Sequence, residues 1–328
     1  MKVVIDTDPG VDDALAILLA AASPELELVG LTTVFGNCAV DVATRNALVL
    51  LDVAGRADVP VARGAADPIA SPYLGPVPQV HGVDGMGDGG PLPEPTGSPV
   101  AASAAEFLCC TAAASPGELT ILAVGPLTNL ALALRLRPDL DTLVERVVVM
   151  GGNALVPGNA TPAAEANMHN DPEAADIVFG ARWPVTMVGL DVTHKVNLRG
   201  ADIDRITAAP TPAGRHLARA LPRYRAFFEH TNGLDGMYVH DPSAVAYLID
   251  PTMFTVSEWP LRVETQGFSR GKTWPSLGDT DDSTPAAWQG RPTVSVCVDV
   301  DAARVVDLML ARLADPVQPA WSGHGIAR

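Results

Sequence analysis

Apolar residues gather in this chain into short, nearly unbroken runs rich in Val, Ile and Leu, at residues 3–6, 28–34, 119–124, 147–150, 185–190 and 294–298. Runs of this length predict strands buried on both faces, as in a parallel sheet covered on each side. Between them, apolar positions recur with helical spacing over residues 12–22, 40–54, 101–114, 127–136, 172–179, 213–230, 242–248 and 302–313. Strand and helix alternate. The expected fold class is therefore α/β, an open, mostly parallel, doubly wound sheet flanked by helices, with a Rossmann-like core.

Residues 64–99 break the alternation, because eight of these 36 residues are Gly and eight are Pro. That composition blocks regular structure and predicts a long loop, and long loops inside compact domains are commonly functional. Within it, His81-Gly82-Val83-Asp84-Gly85-Met86-Gly87-Asp88 reads as a flexible flap carrying polar side chains. A second irregular stretch, residues 267–292, is expected to form a loop or hairpin. With no internal repeat and no clean linker, residues 1–315 read as one domain, followed by a loosely held tail at 316–328.

Composition narrows the function. The longest apolar run, Ala14 to Ala22, has nine residues, and a bilayer span needs roughly twenty. Asp6 and Asp8 interrupt the apolar start that a secretory signal requires, so a cytoplasmic location is expected. The formal charge of −16, from 38 acidic and 22 basic side chains, repels phosphate backbones and anionic lipids and argues against nucleic-acid or membrane partners. It suits a neutral substrate or a bound cation. Cys38, Cys109, Cys110 and Cys297 show no C-x-x-C spacing and read as buried or partly buried free thiols.

The most informative segment is Ile5-Asp6-Thr7-Asp8-Pro9-Gly10-Val11-Asp12-Asp13-Ala14. It leaves a strand, turns through Pro-Gly and enters a helix, where open α/β sheets bind ligands. Carboxylates packed at ~4–6 Å in a partly buried turn repel one another by several kcal/mol. A hard divalent cation with oxygen ligands relieves this, and Ca2+ tolerates irregular sets of carboxylates and carbonyls. Capping and helix-dipole complementation account for one or two of the four acids, not for all.

This segment resembles the N-terminal signature of the inosine–uridine-type nucleoside hydrolases. Further segments resemble the same family in order: Val34-Phe35-Gly36-Asn37, Val80-His81-Gly82-Val83-Asp84-Gly85, Ala123-Val124-Gly125-Pro126-Leu127-Thr128-Asn129-Leu130, Val149-Met150-Gly151-Gly152, Gly158-Asn159-Ala160-Thr161-Pro162-Ala163-Ala164-Glu165-Ala166-Asn167 and Val239-His240-Asp241-Pro242. Together they reach from residue 6 to 242. The resemblance implies Asp8, Asp13, Asp241 and the Val124 carbonyl as calcium ligands. It implies Asn37 and Asn167 on the 2′ and 3′ side of a ribose, and Asn159 and Glu165 at its 5′-hydroxyl. A homodimer or homotetramer is also implied.

Cleavage of the bond between ribose C1′ and the base passes through an oxocarbenium-like sugar. The expected chemistry is direct attack of a water held by the metal, with Asp8 as general base and Asp12 pinning the 2′-hydroxyl. His240 is expected to assist the departing base, with His81 as a weaker candidate in the flap. Asp241 and Asp171 each precede Pro, so both also read as helix N-caps. A histidine at 240 argues against the purine-specific branch, and Ala166 lacks the large aromatic of some relatives. Tyr224, Phe228 and Asn232 fall where base contacts are expected, although Phe228 and Asn232 lack the groups expected there, which leaves base preference open. Two rival readings are a haloacid-dehalogenase-like phosphatase using Asp6 and Asp8, with magnesium ligands from Gly278-Asp279-Thr280-Asp281-Asp282, and a non-catalytic calcium-dependent nucleoside-binding protein.

Overall fold

The apolar runs become strands of a sheet covered on both faces in the computed structural model, which describes residues 1–278 and 285–315. The strands are β1 (Lys2–Thr7), β2 (Glu27–Thr33), β3 (Val61–Arg63), β4 (Leu119–Ala123), β5 (Val144–Met150), β6 (Val185–Val188), β7 (Asn197–Leu198), β8 (Met237–Tyr238), β9 (Phe254–Val263), β10 (Thr273–Pro275) and β11 (Thr293–Val300). β7 and β8 form a separate small ribbon, and the other nine form one sheet in the order β10-β9-β11-β6-β5-β4-β1-β2-β3. Neighbours pair in parallel from β11 through β3, whereas β9 runs antiparallel to both β11 and β10.

Alternate residues of the central strands feed two cores. Val3, Ile5, Leu122, Val148 and Met150 pack on one face, while Val4, Ile121, Ala123, Val147 and Val149 pack on the other. The first face is covered mainly by α1 (Val11–Ala21), α2 (Val40–Val53), α10 (Pro212–Asn232), α11 (His240–Ile249) and α12 (Ala302–Leu313). The second is covered by α4 (Ala104–Ala114), α5 (Thr128–Leu136) and α7 (Pro172–Phe179). The remaining helices are α3 (Pro78–His81), α6 (Ala166–Asn170), α8 (Leu190–Thr193) and α9 (Gly200–Ala208). No helix among the described residues is long and apolar enough to cross a membrane.

Several boundaries differ from the sequence pattern for identifiable reasons. The helix expected from 101 starts at Ala104, because Ser103 Oγ accepts the Glu106 N–H and the Glu106 carboxylate accepts the Ser103 N–H, a closed capping box. The strand expected over 185–190 stops at Val188, since Leu190 opens α8. β9 escaped notice because Thr255, Val256 and Glu258 face solvent and Pro260 interrupts it, so it lacks the unbroken apolar run of a central strand. Residues 267–278 contribute β10, a short partner to β9. Cys38, Cys109 and Cys297 are buried free thiols, while Cys110 is exposed, contrary to expectation. The tail at 316–328 lies outside the described residues.

From β1 the chain proceeds outward to β2 and β3, then returns to place β4 on the other side of β1. The strand order reverses there, and the carboxyl ends of β1, β4 and β5 open onto a crevice where ligands bind in such sheets.

Candidate active site

β1 ends at Thr7, and Asp8-Pro9-Gly10 turns the chain into α1. Asp13 Oδ1 accepts Thr7 Oγ1 at 2.5 Å, and its Oδ2 accepts Gly10 N–H at 2.9 Å and Asn37 Nδ2 at 3.0 Å. Asp8 Oδ2 accepts Asn37 N–H at 2.6 Å, and Asp12 Oδ2 accepts the Tyr224 hydroxyl at 3.0 Å. Asp8 Oδ1 and Asp12 Oδ1 are buried with no hydrogen-bond partner. Glycine backbone encloses Asp8 on both sides: a Cβ on Gly36 would stand 1.9 Å from Asp8 Oδ2, and one on Gly125 would stand 2.7 Å from Oδ1. These approaches explain the glycines in Phe35-Gly36-Asn37 and Val124-Gly125-Pro126.

Asp241 enters from α11. The expectation that it caps this helix is corrected, because α11 begins at His240, with Val239 at its cap and no side-chain capping bond. Its carboxylate is turned instead toward the acidic turn, where oxygens of Asp12, Asp13 and Asp241 lie within 4.8 Å of one another. Asp171, the other Asp-Pro, does cap: it accepts the Ala174 N–H, and it also holds Thr128 Oγ1 and Ile69 N–H.

Four buried carboxylates so close resist ionising together. Burial, followed by the charges of Asp13 and Asp12, raises the Asp8 pKa well above the usual range. Asp241 is raised well above it by burial and by Asp12, Asp13 and Asp8. Burial pushes Asp12 up to about 6, and burial with the Asp12 charge raises Asp13. Clustered oxygens, two of them unpartnered, fit a hard divalent cation. Asp8 stands beside the group of three, and the Val124 carbonyl, on the cavity wall, accepts Asn167 Nδ2 at 2.9 Å.

Asp6 is not part of this cluster. Its Oδ1 accepts Thr32 Oγ1 at 2.5 Å and Asn129 Nδ2 at 2.7 Å, wholly buried within the sheet, and burial pushes its pKa up to about 7. It does not line the cavity, which removes the nucleophile from the phosphatase reading. Asp279, Asp281 and Asp282 of that reading lie outside the described residues.

A cavity of about 560 Å³ opens over the cluster. Asp12, Asn37, His81, Val124, Asn159, Glu165, Asn167, His240 and Asp241 all line it, while Asp8 and Asp13 are fully buried just behind the wall. Glu165 caps α6, accepting the Asn167, Met168 and Gly152 N–H groups, yet burial still raises its pKa. Asn159 sits exposed at the rim and accepts the Ala166 N–H. The flap is pinned down: Tyr73 donates to the Gly36 carbonyl, Asn46 to that of Asp84, and His81 Nδ1 accepts the Val11 N–H. His81 thus stands against the acidic turn, 3.9 Å from Asp12 Oδ1, and burial lowers its pKa to about 4.

At the other end His240 Nδ1 pairs with Thr193 Oγ1 at 2.8 Å. Burial and the neighbouring His194 and His81 lower its pKa to about 3. Around it stand Tyr224, Phe227, Phe228, Thr231, Asn232, Tyr238 and His194. Sequence reasoning placed Tyr224, Phe228 and Asn232 here and missed His194, Phe227, Thr231 and Tyr238. Tyr238 ends β8 two residues before His240, and its ring packs 5.8 Å from the His240 ring.

A family model described as inosine-uridine preferring nucleoside hydrolase matches residues 3–307. The chain is 43% identical over 317 residues to a probable uridine nucleosidase 2 of Arabidopsis thaliana, covering 96% of this chain and 98% of that one. It is 42% identical to a pyrimidine-specific ribonucleoside hydrolase of Citrobacter koseri, again covering 96% and 98%. Among solved structures, a plant nucleoside hydrolase superposes with a TM-score of 0.92 at 38% identity, covering 96% of this chain and 99% of that one. A purine-preferring ribonucleoside hydrolase from Gardnerella vaginalis superposes with a TM-score of 0.89 at 33% identity, with 96% and 98% covered. The chain belongs to the inosine-uridine preferring nucleoside hydrolase family, and it is an N-glycosyl hydrolase that splits ribonucleosides into ribose and free base.

Proposed function

We propose that the enzyme is calcium-dependent and prefers pyrimidine ribonucleosides, uridine first. One observation carries the metal dependence: oxygens of Asp12, Asp13 and Asp241 gather within 4.8 Å, beside unpartnered buried oxygens of Asp8 and Asp12. The pyrimidine preference draws on the uridine nucleosidase and pyrimidine-specific relatives, both above 40% identity. Asp8, Asp13, Asp241 and the Val124 carbonyl would hold the ion. When bound, calcium would neutralise the carboxylates and supply a Lewis acid at the sugar diol and the attacking water.

The residues divide the work as follows. Asp8 takes the proton from the water, which attacks C1′ directly and inverts the configuration. Asp12, held by Tyr224, pins the 2′-hydroxyl, and Asn37 and Asn167 hold the 2′ and 3′ side. Asn159 and Glu165 meet the 5′-hydroxyl. The carboxylates favour positive charge developing on the ring. His240 faces the base. With its pKa held to about 3, the ring is neutral at rest, so it assists as an N–H hydrogen-bond donor while Thr193 steadies Nδ1. His81, also neutral, supports Asp12 from the flap.

The reading extends to a cytoplasmic enzyme, in keeping with four free thiols, that assembles as a homodimer or homotetramer. Its test is release of reducing sugar from uridine, cytidine, inosine and adenosine, each with and without a calcium chelator. Uridine should be fastest, and calcium should restore the chelated enzyme. Undiminished ribose release after exhaustive chelation would sink the calcium dependence.

A further inference from the structure

The loop from Gly151 to Asn167, which presents Asn159, Glu165 and Asn167, is held from behind by two buried charges. Lys272, 8% exposed, directs its ammonium to the carbonyls of Asn153, of Ala154 at 3.2 Å and of Val156 at 3.3 Å. Asp191, 4% exposed, accepts the Ala154 and Leu155 N–H groups, each at 2.7 Å. A buried ammonium must have its donors met, and here a single turn of backbone supplies three acceptors. The neighbouring Thr273 Oγ1 accepts the Asn153 N–H at 2.7 Å.

Through Asn153 those bonds reach the arm of the loop that leads into Glu165. Asn153 Nδ2 donates to Val156 O at 2.9 Å and Ala163 O at 2.8 Å, tying the outgoing arm of the loop to the returning one. Two residues after Ala163 comes Glu165, whose Oε2 accepts the Gly152 N–H at 2.9 Å. The segment carrying Lys272, just before β10, is brought in closely: Gly271 has φ +88°, and a Cβ there would stand 2.8 Å from His169 Cα and 2.9 Å from Ala164 Cβ. Arg270 locks the same segment to α7 through a two-pronged pair with Glu173 at 2.6 and 2.8 Å.

We infer that Lys272 is a positioning residue for the 5′ end of the sugar, acting through the turn at 153–156 to set the reach of Asn159 and Glu165. This rests on the reading that those two side chains meet the 5′-hydroxyl. A staple that served folding alone would weaken hydrolysis of every substrate equally. A positioning residue acts on the substrate that carries the group being positioned.

The experiment compares uridine with 5′-deoxyuridine in steady-state kinetics for the wild type, Lys272→Met, Thr273→Val and Glu165→Ala. Lys272→Met should lower kcat/KM for uridine about tenfold, mostly through KM, while 5′-deoxyuridine stays within about twofold. Thr273→Val removes only the hydroxyl that accepts the Asn153 N–H. It should show the same selective loss at about threefold, and it decides the matter if Lys272→Met does not fold. Equal losses on both substrates, or no loss on either, overturn the inference. A Glu165→Ala ratio unchanged from wild type sinks the 5′-hydroxyl assignment and the inference with it. A changed Glu165 ratio beside unchanged Lys272 and Thr273 ratios sinks the inference alone.

Discussion

The two ends of the cavity are built on opposite principles. At the end proposed for the sugar several side chains are held by multiple bonds: Asp13 holds three donors, Glu165 holds three N–H groups, and Asn167 bridges the Val124 and Met150 carbonyls. At the end proposed for the base the walls are rings. Tyr224, Phe227, Phe228, Tyr238, His194 and His240 pack at centroid distances of 4.7–6.1 Å, largely edge to face or tilted, and Thr193 to His240 is the firm polar bond there. Fixed dipoles and charges discriminate sharply and stabilise developing charge, whereas aromatic walls grade substrates by shape at ~1–3 kcal/mol per group. The sugar end should therefore govern whether bond cleavage happens, and the base end how fast it happens for each base.

The deepest break in that contrast comes from Asp8→Asn. The amide keeps the volume between Gly36 and Gly125 but cannot take the proton, so kcat should fall by about 10⁴, with nucleoside binding measured by calorimetry largely retained. A loss below tenfold would move the general base elsewhere. His240→Ala tests the opposite end and should slow uridine and inosine by about 10². A nitrophenyl riboside, whose leaving group needs little help, should be spared. Equal slowing of all three would remove His240 from leaving-group assistance.

The same contrast governs what the sequence discloses. The acidic turn was legible because charge crowding is a property of the residues themselves, although only Asp8, Asp12 and Asp13 of its four acids join the cluster and Asp6 turns into the sheet, bonded by Thr32 and Asn129. Asn37, Val124 and Asn167 were legible only through motif order, since Asn167 reaches the Val124 carbonyl from 43 positions away. The base end was half hidden. His194, Phe227, Thr231 and Tyr238 come from α10, β8 and the residue after α8, and nothing local distinguishes a ring that walls a cavity from one that fills a core. Lys272 escaped for a related reason. A lone lysine in a glycine-rich stretch gives no sign that three carbonyls surround it. In the fold, central strands were plain from unbroken apolar runs, while β9, with solvent on one side, and the three-residue β3 lacked that signal. Asp241 was expected both in the cluster, by motif, and as a cap, by its Asp-Pro pattern; the cap role fails because α11 begins one residue earlier, at His240, and the Asp241 carboxylate joins the cluster.

Crowded acids at one end also make stability depend on pH in a direction opposite to that of salt-bridged carboxylates. Asp6 and Asp12 bind protons more tightly folded than unfolded, with pKa values near 7 and 6 against 3.8. Between pH 4 and 7 these two groups hold more protons in the native state and lower stability as pH rises, whereas His81 and His240, lowered to about 4 and 3, hold fewer and offset that fall up to about pH 6.5. Asp8, Asp13 and Asp241, raised in the same sense as Asp6 and Asp12, tip the balance toward a net decline. The chelated enzyme should lose roughly 5 °C in Tm from pH 5 to pH 8, and calcium should raise Tm more at pH 8 than at pH 5. A chelated Tm that rises over this interval would show that the cluster does not strain the empty fold.

The smallest expected effect sharpens the comparison most, because it probes a solvent-exposed polar group at the rim of the base end. Asn232 is the last residue of α10, exposed, and lines the cavity rim. A hydrogen bond from such a side chain to a base competes with water and is worth about 0.5–1.5 kcal/mol. Asn232→Ala should therefore shift the uridine-to-inosine ratio of kcat/KM by about threefold, leave ribose-dependent KM trends intact, and leave Tm unchanged. If instead the ratio moves by more than about thirtyfold, beyond the reach of one solvent-exposed hydrogen bond, the rim must be desolvated when substrate is bound. The base end would then be as preorganised as the sugar end, and its open ring-walled form would describe only the unliganded enzyme.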